Sequence, residues 1–83
     1  MDKYRVYLHL DLIEALPRRS SQKRKIVDFI RWLEQNPFAP GDFTDRDASL
    51  RVREIKVIGD YAVTFWTDHP AKAVMIVDIQ RAD

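Results

Sequence analysis

Apolar and polar residues alternate near the start of the chain and follow a helical period in its middle. The segment KYRVYLHL puts Tyr4, Val6 and Leu8 on one face, which is the period of a half-buried strand. The segment SSQKRKIVDFIRWLEQNP repeats apolar residues at helical spacing, after serines that can cap it and before Pro37. The pattern therefore predicts a strand followed by a long helix.

Two shorter segments flank this helix. DLIEALP predicts a short helical turn that ends at Pro17, because the residue before a proline avoids the helical conformation. FAPGDFTDRDAS contains a proline, a glycine and the acids Asp42, Asp45 and Asp47, and it predicts a polar loop. We expect its two phenylalanines to hold this loop against the body of the domain.

The last part of the chain is rich in strand-forming residues. LRVREIKVI, YAVTFWT and AKAVMIVDI are separated by Gly59-Asp60 and by the turn DHPA, and short connections of this kind join antiparallel neighbours. The chain is thus predicted to be an α+β two-layer domain of order β-α-α-β-β-β. An antiparallel meander would carry the helices on one face and leave the other face open.

The hairpin REIKVIGDYAVTFW has two faces with different expected roles. Tyr61, Val63 and Phe65 are predicted to pack under the helices. The residues predicted for the open side are Lys56, Ala62, Thr64 and Trp66.

Composition limits the class of protein. At 83 residues and 46% hydrophobic content the chain has material for one domain, residues 1–83, with one core. The chain has no cysteine, which excludes a thiolate metal site and fits a reducing compartment. The charged N-terminal segment does not resemble a signal peptide or a membrane span, so we expect a cytoplasmic protein without a membrane partner. No set of metal ligands at typical spacing is present, and we predict neither a metal nor a cofactor.

The formal net charge is only +1, but the basic residues are clustered. One group lies at the start of the long helix and another in the first arm of the hairpin. Such clusters can bind a polyanion, although the first is also typical of a solvated helix face. The residues predicted to contact the phosphates of a nucleic acid are Arg24, Lys25, Arg51 and Arg53.

Several of these segments occur together in one known family. YRVYL at the start, IRWLEQNP at the helix end and LRVREIKVIGDYAVTFW before a final apolar strand span residues 4–81. In this combination the sequence resembles the RelE/ParE superfamily of type II toxin-antitoxin toxins.

The resemblance implies a toxin that is neutralised by a small antitoxin protein. RelE-like members cleave messenger RNA on the ribosome without a metal, whereas ParE-like members inhibit DNA gyrase. Fold alone does not decide between these activities. A non-catalytic member that only binds a protein partner is the alternative, and a small α+β domain without a toxin role is a further one.

Carried over residue by residue, the resemblance gives an incomplete catalytic set. It assigns phosphate contacts in catalysis to Lys56 and Arg81, since a cation can stabilise the charge of a phosphorane. Ala62 stands where the family commonly has arginine, and no tyrosine or histidine follows Arg81. Trp66 is predicted to be a partner anchor on the open face. His9 and His69 are potential acid-base groups but are better interpreted as surface imidazoles.

The last strand admits two registers. If Arg81 takes the place of the family's second cleft arginine, Asp78 falls at an apolar position; a shift of one residue restores the apolar pattern but puts Ala82 in that place. We favour the shifted register, with Arg81 near the mouth of the cleft.

Overall fold

Strand-forming segments and one amphipathic helix build two layers in the computed structural model, which describes residues 3–82. The elements are β1 (Arg5–Leu8), a 3-10 turn (Leu10–Leu12), α1 (Ser20–Leu33), β2 (Phe43–Arg46), β3 (Val52–Ile58), β4 (Tyr61–Asp68) and β5 (Ala73–Arg81). The strand order in the sheet is β1-β5-β4-β3-β2. β1 runs parallel to β5, and the other neighbours are antiparallel. The α+β prediction is confirmed, but the predicted element order lacked β2.

The core lies between α1 and one face of the sheet. Ile26 and Leu33 of α1 are fully buried against the central strands. Val63 and Phe65 of β4 are buried there too, as predicted, and the Phe65 ring meets that of Phe29 edge-on with centroids 5.7 Å apart. Burial of this apolar stripe holds the helix on the sheet.

The start of α1 differs from the prediction. Arg19 occupies the N-cap position, and its side chain makes no capping hydrogen bond. Ser20 and Ser21 lie inside the first turn, so neither acts as the expected cap. The short helix expected in DLIEALP is a single 3-10 turn capped by the His9 side chain.

The segment predicted to be a loop contains the edge strand β2. The Asp42 amide donates to the carbonyl of Ile55 over 2.8 Å, and the Asp42 carboxylate accepts the Val57 amide over 2.8 Å. The Gly41 amide donates to the Glu54 carboxylate over 2.8 Å. These bonds dock a polar segment on the edge of β3, where its side chains stay in water. Phe43 is 61% exposed and does not pin the segment to the core.

A β-bulge in β5 fixes which side chains reach the core. Thr64 pairs with Asp78, but the next residue of β4, Phe65, pairs with Ile76, so Val77 is an extra residue. The bulge turns Asp78 out of the core and lets Ile76 and Ile79 both be buried.

The described part of the chain, residues 3–82, contains no helix with the length and apolar character needed to cross a membrane.

Candidate functional site

The face of the sheet opposite α1 is the candidate site. Alternation along β4 puts Ala62, Thr64 and Trp66 on this face, because Val63 and Phe65 point to the core. This agrees with the predicted placement of those three residues. Their neighbours on this face, by strand register, are Arg53, Ile55 and Val57 of β3, Met75, Asp78 and Gln80 of β5, and Tyr7 of β1.

Arg53 lies on this face and binds an acid on the neighbouring strand. Its Nε and Nη2 donate to the two carboxylate oxygens of Asp45 over 2.8 and 2.7 Å. The two residues are direct partners in the β2–β3 register, so the backbone aligns this bidentate pair. The hydrogen bond from Arg53 lowers the pKa of Asp45, and the pKa of Arg53 is raised in return. Asp78 adds to the negative field at Arg53.

Arg51 lies at the end of the same hairpin and has two contacts of its own. Its Nη1 donates to the Asp47 carboxylate over 3.2 Å, and its guanidinium lies 3.9 Å from the ring centroid of Trp66. Asp47 also accepts the backbone amides of Ser49 and Arg51, each over 2.9 Å. The ring predicted to anchor a partner is therefore covered on one side by an arginine of the same chain.

Lys56 does not lie on the open face, so its predicted placement is wrong. It pairs with Val63, which points to the core, and its ammonium lies 3.4 Å from the Asp42 carboxylate. It lines a groove beside α1 together with Phe29 and Trp32. The sequence contains the information needed to place Lys56 correctly. The two-residue turn Gly59-Asp60 makes Ile58 and Tyr61 partners, and counting back along both strands pairs Lys56 with Val63.

Arg81 also lies on the helix side. It pairs with Tyr61 beyond the bulge and lines a groove of about 220 Å³ with Arg18, Arg19 and Gln22 near the start of α1. The favoured register is the one observed, but Arg81 is not at the mouth of the open cleft. Two residues that are three positions apart in a regular strand point to opposite faces, yet Ile76 and Ile79 are both apolar and buried. This spacing is the sequence signal of the bulge that places Arg81 on the helix side.

Arg24 and Lys25 lie on α1, away from the hairpin. Both are exposed on α1, where they line a shallow groove with Ser20, Ser21 and Asp28. The structure therefore brings Arg51 and Arg53 together on one hairpin, and separates them from the other predicted phosphate contacts.

Neither histidine lies on a strand of the sheet. His9 caps the 3-10 turn by accepting the Asp11 amide over 3.3 Å. The His69 ring stacks on Phe38 with centroids 4.9 Å apart, and its Nδ1 lies 3.2 Å from the Tyr4 hydroxyl. Within residues 3–82 there is no group of three side chains arranged to hold a metal.

The three acids in and beside β2 are the site residues that sequence reasoning missed. They form what we call the ion-pair ladder, consisting of Asp42 with Lys56, Asp45 with Arg53, and Asp47 with Arg51. The signal was present as three acids and three bases in adjacent segments of similar spacing. Antiparallel pairing of those segments brings the opposite charges together.

Acid is expected to weaken the docking of β2. The pKa of Asp42 is lowered from its ordinary value of 3.8 by the Val57 amide, that of Asp45 by the Arg53 guanidinium, and that of Asp47 by the Arg51 amide. Because these three pKa values are lower in the folded state than in the unfolded chain, the ionised carboxylates stabilise the docked β2 fully above pH 3.8. This stabilisation is lost as the pH falls through the folded-state pKa values.

The measurement is an NMR titration of the carboxyl groups, with hydrogen exchange of the backbone amides as the second readout. Amides of β2 should lose protection at a higher pH than those between β3 and β4, which serve as the internal control. Carboxyl midpoints at or above 3.8 for all three aspartates would contradict the expectation.

The fold has a counterpart among solved structures. The chain is similar to one in the crystal structure of the archaeal RelE-RelB complex from Pyrococcus horikoshii OT3, with a TM-score of 0.76 and 21% sequence identity over 96% of each chain. No protein-family model matches the sequence, and no curated protein matches it. The expected resemblance is thereby confirmed for the RelE-type fold.

Proposed function

We propose that this protein is the toxin-type component of a type II toxin-antitoxin pair and that it binds a small antitoxin protein. The observation that carries the proposal is the RelE-type fold over 96% of the chain, which is also the fold of a chain in the archaeal RelE-RelB complex. The open face supports it, since Tyr7, Val57 and Val77 are exposed apolar groups there and suit a polypeptide that covers the sheet. The absence of cysteine supports action in the cytoplasm.

We further propose that the protein acts by binding a protein target, such as gyrase or its antitoxin, rather than by cutting RNA. Cleavage of the RelE kind needs several cations that converge on one phosphate. Ala62 offers no charge at the centre of the open face, and Lys56 lies on the other side of the sheet. Arg51 and Arg53 already bind Asp47 and Asp45.

A metal-independent messenger RNA endoribonuclease is the second candidate. Arg51 and Arg53 favour it, because they are two arginines on one hairpin beside the open face. In that mechanism Lys56 and Arg81 would have to reach the phosphate from the helix side of the sheet. Arg24 and Lys25 would serve as outer contacts to the RNA backbone or to the ribosome.

Conditional expression tests the toxin role. We expect expression of the protein alone to arrest growth, and co-expression with its genomic neighbour to relieve the arrest. Soluble expression is verified on a gel in both cultures. Normal growth at a verified soluble level would contradict the proposal.

A cleavage assay separates the two candidates. Purified protein added to programmed ribosomes should leave the messenger RNA intact, and Lys56→Ala should arrest growth as strongly as the wild type. Specific cleavage that Lys56→Ala abolishes would instead establish the endoribonuclease. Glu14→Gln, an exposed change away from the open face, is the control for expression and handling.

A further inference from the structure

The cations of the β3 hairpin arm are already neutralised by acids of the same domain. Asp45 and Asp47 bind Arg53 and Arg51 over 2.7 and 3.2 Å, and Asp42 lies 3.4 Å from Lys56. The bidentate pair occupies two of the five N–H donors of Arg53 and balances its charge, and a single contact with Asp47 balances the charge of Arg51. These side chains therefore attract a nucleic acid backbone much less than their number suggests.

The segment that carries these acids is centred on a lightly attached strand, β2. β2 has four residues, lies at the edge of the sheet and pairs with β3 alone. Phe43 is largely exposed, so apolar burial contributes little to its position. Backbone pairing, the Gly41–Glu54 bond and the ion-pair ladder hold it in place.

We propose that the segment 42–47, which contains β2, is an autoinhibitory acidic strap, whose carboxylates occupy the cations of residues 51–56 and so keep single-stranded RNA off this hairpin. Loss of the carboxylates, or displacement of the strand, exposes Arg51 and Arg53 together. The exposed pair then adds two phosphate contacts to whatever weak binding the rest of the surface provides. The inference goes beyond the proposed function and does not depend on whether the protein arrests growth.

The cations at the start of α1, unlike those of the hairpin, are not neutralised by acids of the described chain. Within residues 3–82, no ion pair joins an acid to any of the five cations that begin at Arg18, which are Arg18, Arg19, Lys23, Arg24 and Lys25. Basal binding of RNA is expected there. The strap therefore controls how much binding the hairpin adds to this basal level.

The experiment measures RNA affinity of the full chain as a function of salt. The double variant Asp45→Asn, Asp47→Asn removes both carboxylates and raises the formal net charge from +1 to +3. The control Glu14→Gln, Glu34→Gln makes the same charge change at exposed positions that form no ion pair within residues 3–82. The probe is a fluorescent single-stranded oligoribonucleotide, and circular dichroism verifies the fold of each variant.

If the strap is autoinhibitory, the two variants should differ in RNA affinity although their net charges are equal. The aspartate variant should bind RNA about tenfold more tightly than the glutamate control at low salt. Its log-log salt slope should be steeper by about 1.4, since each single-strand phosphate contact contributes about 0.7. Adding Arg51→Gln and Arg53→Gln to the aspartate variant restores the formal net charge of +1 and should return both quantities to the wild-type values.

Two outcomes would overturn the proposal. One is equal affinity and salt slope for the aspartate variant and the glutamate control. The other is a gain that persists after both arginines are replaced, which would assign the binding to another surface. Displacement of β2 in the aspartate variant does not confuse the test, because it also exposes the two arginines.

Discussion

Phe65→Ala is expected to lower the free energy of unfolding by about 3–5 kcal/mol. The Phe65 side chain is fully buried at the centre of β4 and contacts the Phe29 ring of α1. Its truncation removes apolar contacts and leaves a cavity between the helix and the sheet. Small domains have about 5–15 kcal/mol of stability, so much of the chain's margin would be lost. Chemical denaturation of the purified variant measures the change.

Phe43→Ala is the matched control for this variant. It makes the same chemical change on β2, where the ring is 61% exposed. We expect its stability to stay within about 0.5 kcal/mol of the wild type. If Phe65→Ala cost no more than Phe43→Ala, the packing of α1 on β4 described above would be wrong.

Gly41→Ala is expected to displace the start of β2 and to cost about 1–3 kcal/mol. A Cβ at Gly41 would lie 2.5 Å from the carbonyl oxygen of Ile55 and 2.7 Å from its nitrogen, and backbone atoms cannot move aside as a flexible side chain can. Asp42 follows directly, so its bond to the Val57 amide should weaken as well. Hydrogen exchange of β2 amides and thermal unfolding measure the two effects.

Gly59→Ala separates this steric effect from the general effect of replacing a glycine. Gly59 has a positive φ of 60°, and the three atoms nearest to an added Cβ belong to the flexible side chain of Gln22 and not to the backbone. We expect a cost of about 1–2 kcal/mol from the left-handed conformation, with protection of β2 unchanged. Retained β2 protection in Gly41→Ala would show that the close approach to Ile55 does not position this strand.

Sequence patterns predicted the parts of the fold that depend on local periodicity. The helix, three of the strands that follow it and the burial of Val63 and Phe65 follow from residue types within each segment. β2 was missed because it is short, polar and flanked by proline and glycine. Its strand conformation depends on partners in β3, and a local pattern does not contain them.

The candidate site was harder to predict because successive side chains of a strand point to opposite faces of the sheet. An error of one residue in the pairing therefore assigns a side chain to the wrong face. One extra residue at Val77 moves Arg81 from the open face to the helix side. Lys56 was assigned to the wrong face although the two-residue turn fixes its partner. The cationic character of the hairpin was read correctly from Arg51 and Arg53, but their acidic partners were assigned to a loop.

The composition of β2 also affects how copies of this protein meet one another. An edge strand offers unpaired amides and carbonyls that can template the addition of a strand from another molecule. Three of its four residues, Thr44, Asp45 and Arg46, are polar or charged. Joining two such edges would bring their charged side chains close together and strip water from them. The same strand that neutralises the hairpin thus protects the sheet from open-ended assembly at this edge.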